Sequence, residues 1–230
     1  MTLTLITGGN KGLGFEAARR LIELGHTVYI GARDAERGLK AAEELGARFV
    51  LLDVTDTNSV HAAATEIMQK EGRIDVLINN AGITGAFKKP EDITVDDIRQ
   101  TYETNVFGIV RVTHAFLPLL HMSESPVIVN VSSGLGSFGM VTNPDTLESK
   151  VNALSYTSSK SAVTMLTVQY ATGLPSIRIN AVDPGPTKTD LSGHGHQTVQ
   201  EGTDAIVRMA TIGKDGPTGT FTDRNGVVPW

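Results

Sequence analysis

Leu3-Thr4-Leu5-Ile6-Thr7-Gly8-Gly9-Asn10-Lys11-Gly12-Leu13-Gly14 decides the fold. Five apolar or β-branched residues run straight into a glycine turn, and an amphipathic stretch, Leu13–Leu24, follows at once. Strand, glycine turn and helix in that order open a βαβ unit. Glycine tolerates positive φ and admits a ligand close to the backbone. The first turn of the helix then offers free amide donors and a partial positive charge to an anion. A pyrophosphate suits such a turn. The glycines at 8, 12 and 14 depart from G-x-G-x-x-G spacing, and an ordinary tight turn is the plain alternative.

Outward from this unit the alternation continues. Thr27–Ala32, Phe49–Asp53, Ile74–Asn79, Val127–Ser132 and Ile177–Val182 read as strands, apolar enough to be covered on both faces. Glu36–Leu45, Ser59–Gln69, Val95–Leu120 and Tyr156–Tyr170 read as helices. Gly25 ends the first helix, Asp34 caps the second, and Asp56 or Thr57 caps the third. Pro118 should kink or end the long middle helix. Gly134–Leu154 and Asp190–Gly202 read as irregular, the latter as mobile. The pattern predicts an α/β fold: a doubly wound parallel sheet with helices on both faces, in one domain over residues 1–230. Ligands in such sheets lie beyond the carboxyl ends of the strands. Gly8–Gly14, Arg33, Asp53, Asn80–Gly82, Ser132-Ser133 and Asp183–Thr189 all fall there.

Composition narrows the function. A formal charge of −5 argues against a nucleic-acid or anionic-membrane surface. The absence of cysteine excludes thiol catalysis, disulfides and cysteine metal sites. No apolar stretch is long enough for a bilayer. Met1–Thr7 lacks the features of a signal peptide, so a cytoplasmic protein is expected. His194 and His196 flank a glycine, with no third ligand suggested, and no metal site is expected.

Tyr156 and Lys160 carry the chemistry. Four residues apart on a helix, they face one way. A phenol with pKa about 10 is a poor acid at neutral pH, and a nearby cation lowers that value. The pair suits proton donation to a carbonyl oxygen that is receiving hydride. Arg33, at the end of the second strand, would suit a 2′-phosphate, with Lys11 a second cation; a solvated surface charge is the alternative. Asp53 either accepts from an adenine amino group or caps its own loop. Asn79-Asn80-Ala81-Gly82 either passes under a ribose and pins neighbouring strands or forms a plain turn. Phe87, Phe138, Met140 and Leu191 either line an apolar pocket or are scattered.

In this order, Thr7–Gly14, Asp53, Asn79–Gly82, Asn105, Ser133, Tyr156-x-x-x-Lys160, and Pro184-Gly185 with Thr189 resemble the short-chain dehydrogenase/reductase family over nearly the whole chain. Gly31–Asp34 and Val228-Pro229-Trp230 look most like its carbonyl-reductase branch. The resemblance implies NADPH or NADP+ as cofactor, with NADH less favoured, and a small carbonyl compound as substrate. It assigns Tyr156 as general acid, Ser133 as partner to the same oxygen, Lys160 as holder of the nicotinamide ribose, and Asn105 as holder of a relaying water. Cofactor contacts are implied for Gly8, Asn10, Lys11, Gly12, Leu13, Gly14, Arg33, Asp53, Val54, Asn80, Ala81, Gly82, Tyr156, Lys160, Pro184, Gly185, Thr187 and Thr189. Of Ser132 and Ser133 the pattern selects the second, and strand alternation turns the two to opposite faces.

Ser133 and Tyr156 lie 23 residues apart, an insertion shorter than that of the carbonyl-reductase branch, which leaves monomer and homo-oligomer both open. A short substrate loop, about residues 190–212, suggests an open site. A non-catalytic dinucleotide sensor on the same fold is the alternative function, but it would not require a proton donor. An epimerase or dehydratase of nucleotide sugars would usually carry a larger C-terminal region than the roughly 40 residues after Thr189.

Overall fold

The computed structural model describes residues 1–189, 193 and 195–230. Strands β1 (Leu3–Thr7), β2 (Thr27–Ala32), β3 (Arg48–Leu51), β4 (Val76–Asn79), β5 (Val127–Val131), β6 (Arg178–Val182) and β7 (Phe221–Thr222) form one sheet. Its order is β3-β2-β1-β4-β5-β6-β7, and every pairing is parallel. The chain runs outward from β1 to β3, then crosses to β4 on the other side of β1. The loops after β1 and β4 therefore diverge, and a crevice opens between them.

Helices α1 (Gly12–Glu23), α2 (Ala35–Leu45), α3 (Thr57–Glu71), α4 (Val95–Tyr102), α5 (Gly108–Leu120), α6 (Phe138–Val141), α7 (Leu154–Gly173), α8 (Val199–Gly202) and α9 (Asp204–Ala210) complete the described fold. The central strands are buried along their whole length, so each sheet face needs its own apolar cover. Ala17, Ala18 and Leu21 of α1 pack with Ile6, Ile30, Ile78 and the α9 residues Ala205 and Ile206 on one face. Val60 and Ile67 of α3 pack with Leu5, Leu77, Val112 and Phe116 on the other.

The expected caps form. The Asp34 carboxylate accepts from the Arg37 amide, and that of Asp56, rather than Thr57, accepts from the Asn58 amide. Gly25 follows α1 with φ +85°, where a side chain would be strained. Ends differ from the sequence reading by one or two residues at most positions, as fraying ends do. One shift matters: β3 stops at Leu51, so Asp53 lies in the loop beyond.

The long middle helix is interrupted earlier than Pro118. Glu103–Phe107 forms a π turn between α4 and α5, while Pro118 lies inside α5, which runs on to Leu120. Pro118 has no N–H for the His114 carbonyl, so one helical bond is missing there, yet the two residues after it still wind on. The 134–154 segment carries α6 and two single-turn 3-10 helices, Gly134–Gly136 and Glu148–Lys150. Val199–Gly202 is helical, not irregular, because Thr198 and Glu201 form a reciprocal capping box. Asp190, Leu191, Ser192 and His194 lie outside the described residues, and with them the expected mobility around residue 190, the choice for Leu191 between pocket lining and a scattered position, and the expectation that His194 holds no metal.

Candidate active site

The crevice is built first by backbone. Gly8 turns at φ +64°, and a side chain on it would start 3.1 Å from Ala81 Cα. The loops after β1 and β4 are thus in contact at their base. Asn80 locks them: its Nδ2 donates to the carbonyl oxygens of Thr7 at 3.0 Å and Gly8 at 3.2 Å. Thr7 Oγ1 accepts in return from the amides of Asn80 and Ala81, both at 3.0 Å. The amide that pins neighbouring strands is therefore Asn80. Asn79 turns into the core, donating to Asn130 Oδ1 at 2.9 Å.

Above this base α1 begins at Lys11 with no side-chain cap. A twelve-residue helix presents its amides and partial positive charge there. Among the described residues the nearest neighbour that a side chain on Gly12 would meet is Thr189, 3.9 Å away. A helix N-terminus beside the loop after β6 suits a nucleotide diphosphate.

Arg33 is exposed just past β2 and has no ion-pair partner among the described residues, while Asp34 is occupied with its cap and Arg37. Asp53 Oδ1 accepts from the amide and hydroxyl of Thr55 at 2.9 and 2.8 Å, so it organises its own loop. Val54 is buried against Gly108, where a Cβ would approach to 3.0 Å. Leu13 packs toward Gly202, and Asn10 is partly buried in the glycine turn. After β6 the Thr187 hydroxyl donates to the Pro184 carbonyl at 3.1 Å and its amide to that of Gly185 at 2.7 Å, which winds the Pro184–Thr189 segment tightly.

Four side chains meet where β5, α7 and the π turn converge. Ser132 and Ser133 do turn opposite ways: Ser132 Oγ donates to the Lys160 carbonyl at 3.1 Å, whereas Ser133 Oγ accepts from the Leu135 amide at 3.2 Å and lies near the Tyr156 phenol. Lys160 Nζ donates to the Val131 carbonyl at 2.8 Å and lies 5.6 Å from the Tyr156 ring centroid. Asn105 Oδ1 accepts from the Ile83 amide at 2.8 Å, and its Nδ2 donates to the Ile83 carbonyl and to Ser159 Oγ. It bonds a different loop rather than its own helix. A side chain on Gly82 would start 3.4 Å from Asn105 Oδ1 and 3.7 Å from Lys160 Nζ, so both polar groups border the same small space.

The electrostatics depart from the sequence expectation. Burial pushes the Tyr156 phenol up to about 12, against the opposing influence of the nearby Ser133 hydroxyl. Burial also brings Lys160 down to about 8, with Asp183 acting the other way. In the protein alone desolvation outweighs any help the ammonium gives, since Nζ lies over the ring and is bonded to Val131.

Two residues of this region had no role assigned from sequence. Thr7 was read only as the end of a strand. Asp183 was one of several polar residues in its loop, although its place directly before Pro184-Gly185 was a signal. Phe87 and Phe138 are largely exposed, while Met140 packs on Ala181, Phe221 and Val228. No group of three or more potential metal ligands occurs among the described residues, and none of the described helices is long and apolar enough to cross a membrane.

Known proteins are similar to this chain in sequence and fold. The model of the short chain dehydrogenase family matches residues 2–200. A (+)-neomenthol dehydrogenase of Capsicum annuum is 31% identical over 97% of this chain and 96% of its own. That alignment spans 301 positions against 230 residues here, so the relative carries insertions this chain lacks. The NADPH-bound carbonyl reductase of chicken fatty liver superposes with a TM-score of 0.87 at 28% identity, over the full length of both chains. The 3-ketoacyl-(acyl-carrier-protein) reductase of Brucella melitensis complexed with NADH gives 0.84 at 26%, over 96% of each. With a parallel sheet in this strand order and a family match over most of its length, the chain belongs to the short-chain dehydrogenase/reductase family of nicotinamide-dependent oxidoreductases.

Proposed function

We propose that this protein is an NADPH-dependent reductase of ketone and aldehyde carbonyls, with Tyr156 as proton donor. The observation that carries the reading is the grouping of three side chains: the Ser133 hydroxyl is near enough to lower the proton affinity of the Tyr156 phenol, and Lys160 Nζ lies 5.6 Å from the Tyr156 ring centroid. Two hydroxyls so placed can both address one carbonyl oxygen. We read residues 1–230 as one catalytic domain, with the segment from about 190 to 212 bordering the substrate.

The bound nicotinamide would supply hydride to the carbonyl carbon. Ser133 would orient the carbonyl and stabilise charge growing on its oxygen. Tyr156 would give that oxygen its proton as general acid. A phenol pushed up to about 12 is fully protonated at neutral pH, which a donor requires. Lys160, bordering the same space as Asn105 at Gly82, would hold the ribose and return a proton to Tyr156 through a water held by Asn105. Gly8–Gly14 and the start of α1 would hold the diphosphate, and Asn80–Gly82 would pass under the ribose.

The preference for NADPH rests on Arg33, an exposed guanidinium with no ion-pair partner among the described residues where the adenosine ribose would end. A sensor without catalysis would have no use for the Ser133–Tyr156 pair. The test is absorbance of NADPH against a panel of ketones, aldehydes and quinones, with wild type and Tyr156→Phe. The variant should bind NADPH and lose most turnover; undiminished turnover would remove the mechanism.

A further inference from the structure

Asp183 is a buried carboxyl that the reaction above leaves unused. It stands just past β6 and is only 7% exposed. Its Oδ1 accepts from the Gly185 amide at 2.9 Å, and its Oδ2 packs against Gly134. A Cβ on Gly134 would lie 2.9 Å from Asp183 Oδ2, so nothing larger than glycine fits beside it. The Asp183 amide donates to the Thr222 carbonyl at 2.8 Å. One side chain therefore fastens the turn that follows Ser133 to the turn that would face the nicotinamide.

The carboxyl is also within electrostatic reach of both Tyr156 and Lys160 on α7. The other charges facing it are Glu148, in the 3-10 turn before α7, and Asp223, just after β7. Burial and these two acids push the Asp183 carboxyl up, while the Gly185 and Gly134 amides pull it down. A fixed negative charge there disfavours phenolate at Tyr156 and favours ammonium at Lys160.

We propose that Asp183 is a positioning residue for proton transfer, joining the Ser133 turn to the Pro184-Gly185 turn and holding a counter-charge that keeps Tyr156 protonated. This rests on the reading of Tyr156 as the donor. Asp183→Asn keeps the shape and an acceptor oxygen but removes the charge. The experiment follows kcat/KM against pH for the ketone turned over best in the panel, and for its alcohol in reverse. In Asp183→Asn, the falling limb of reduction and the rising limb of oxidation should both move to lower pH by about one unit. Well below that limb, oxidation should then be about tenfold faster relative to its own plateau.

A residue that merely stabilised the fold would lower the plateau and leave the limbs in place, and unmoved limbs overturn the proposal. Asp183→Ser, a smaller uncharged replacement, should shift the limbs the same way, and thermal unfolding checks both variants. If neither folds, the carboxyl serves stability and the proposal is overturned. Turnover that survives Tyr156→Phe would instead overturn the reading of the site, and this inference with it. Loss of turnover in Tyr156→Phe with unmoved limbs in Asp183→Asn would overturn this inference alone.

Discussion

Lys160 Nζ donates to the carbonyl oxygen of Val131 at 2.8 Å, which fastens the ammonium to the last residue of β5. The lysine is buried, and its proton is held less tightly than in water, at about 8 against 10.5. Between those values the unfolded chain binds more protons than the folded one, so stability rises with pH. Full expression of that shift is about 3 kcal/mol. Lys160→Met lacks it. The stability of the variant relative to wild type should therefore fall between pH 8 and 10.5, read by urea unfolding at a series of pH values. A constant difference would mean that the ammonium is not desolvated.

Asn105→Ala should be costly beyond its size. Removing the amide leaves the Ile83 amide and carbonyl and the Ser159 hydroxyl without these partners, at about 1–3 kcal/mol for each group left buried. The melting temperature should drop by several degrees and turnover should fall with it. A variant as stable as wild type would show that Ile83 finds other partners.

Much of the fold could be read in advance because its signals were local. Gly25, Asp34 and Asp56 acted as written, and β1 and β2 lie where apolar runs met turn residues. The π turn at 103–107 could not be read, since it follows from Asn105 bonding to Ile83 across the crevice rather than from any propensity. β7 is two residues long and gives no periodicity. The capping box at Thr198 and Glu201 is legible in the sequence as Thr-x-x-Glu. Within the site, spacing brought Tyr156 and Lys160 together correctly, yet the sign of the phenol's shift depended on burial, which no spacing reveals.

Arg33→Ala tests the cofactor preference. If the guanidinium meets a 2′-phosphate, the ratio of kcat/KM for NADPH over NADH should fall about tenfold, or about 1.4 kcal/mol. The loss should shrink at high salt because Arg33 is exposed. An unchanged ratio would return Arg33 to the solvated surface.

Gly14→Ala should weaken cofactor binding and stability together. The added Cβ would stand 2.6 Å from both Asn80 Nδ2 and the Gly8 carbonyl, so the Asn80 clamp or the start of α1 must shift. Overpacking of this kind costs about 1–3 kcal/mol. NADPH fluorescence titration beside a thermal melt checks it, and normal affinity would mean that the turn yields without harm.

The π turn has a consequence for homologous sequences. It holds one residue more than regular winding needs, and that surplus is what carries Asn105 across to Ile83. A one-residue gap between positions 103 and 107 would let α4 and α5 fuse smoothly. The flanking helices would keep their facing, because the wide turn is what absorbs the surplus residue, but position 105 would lose its outward step, so a relative aligned with such a gap should have surrendered the asparagine's grip.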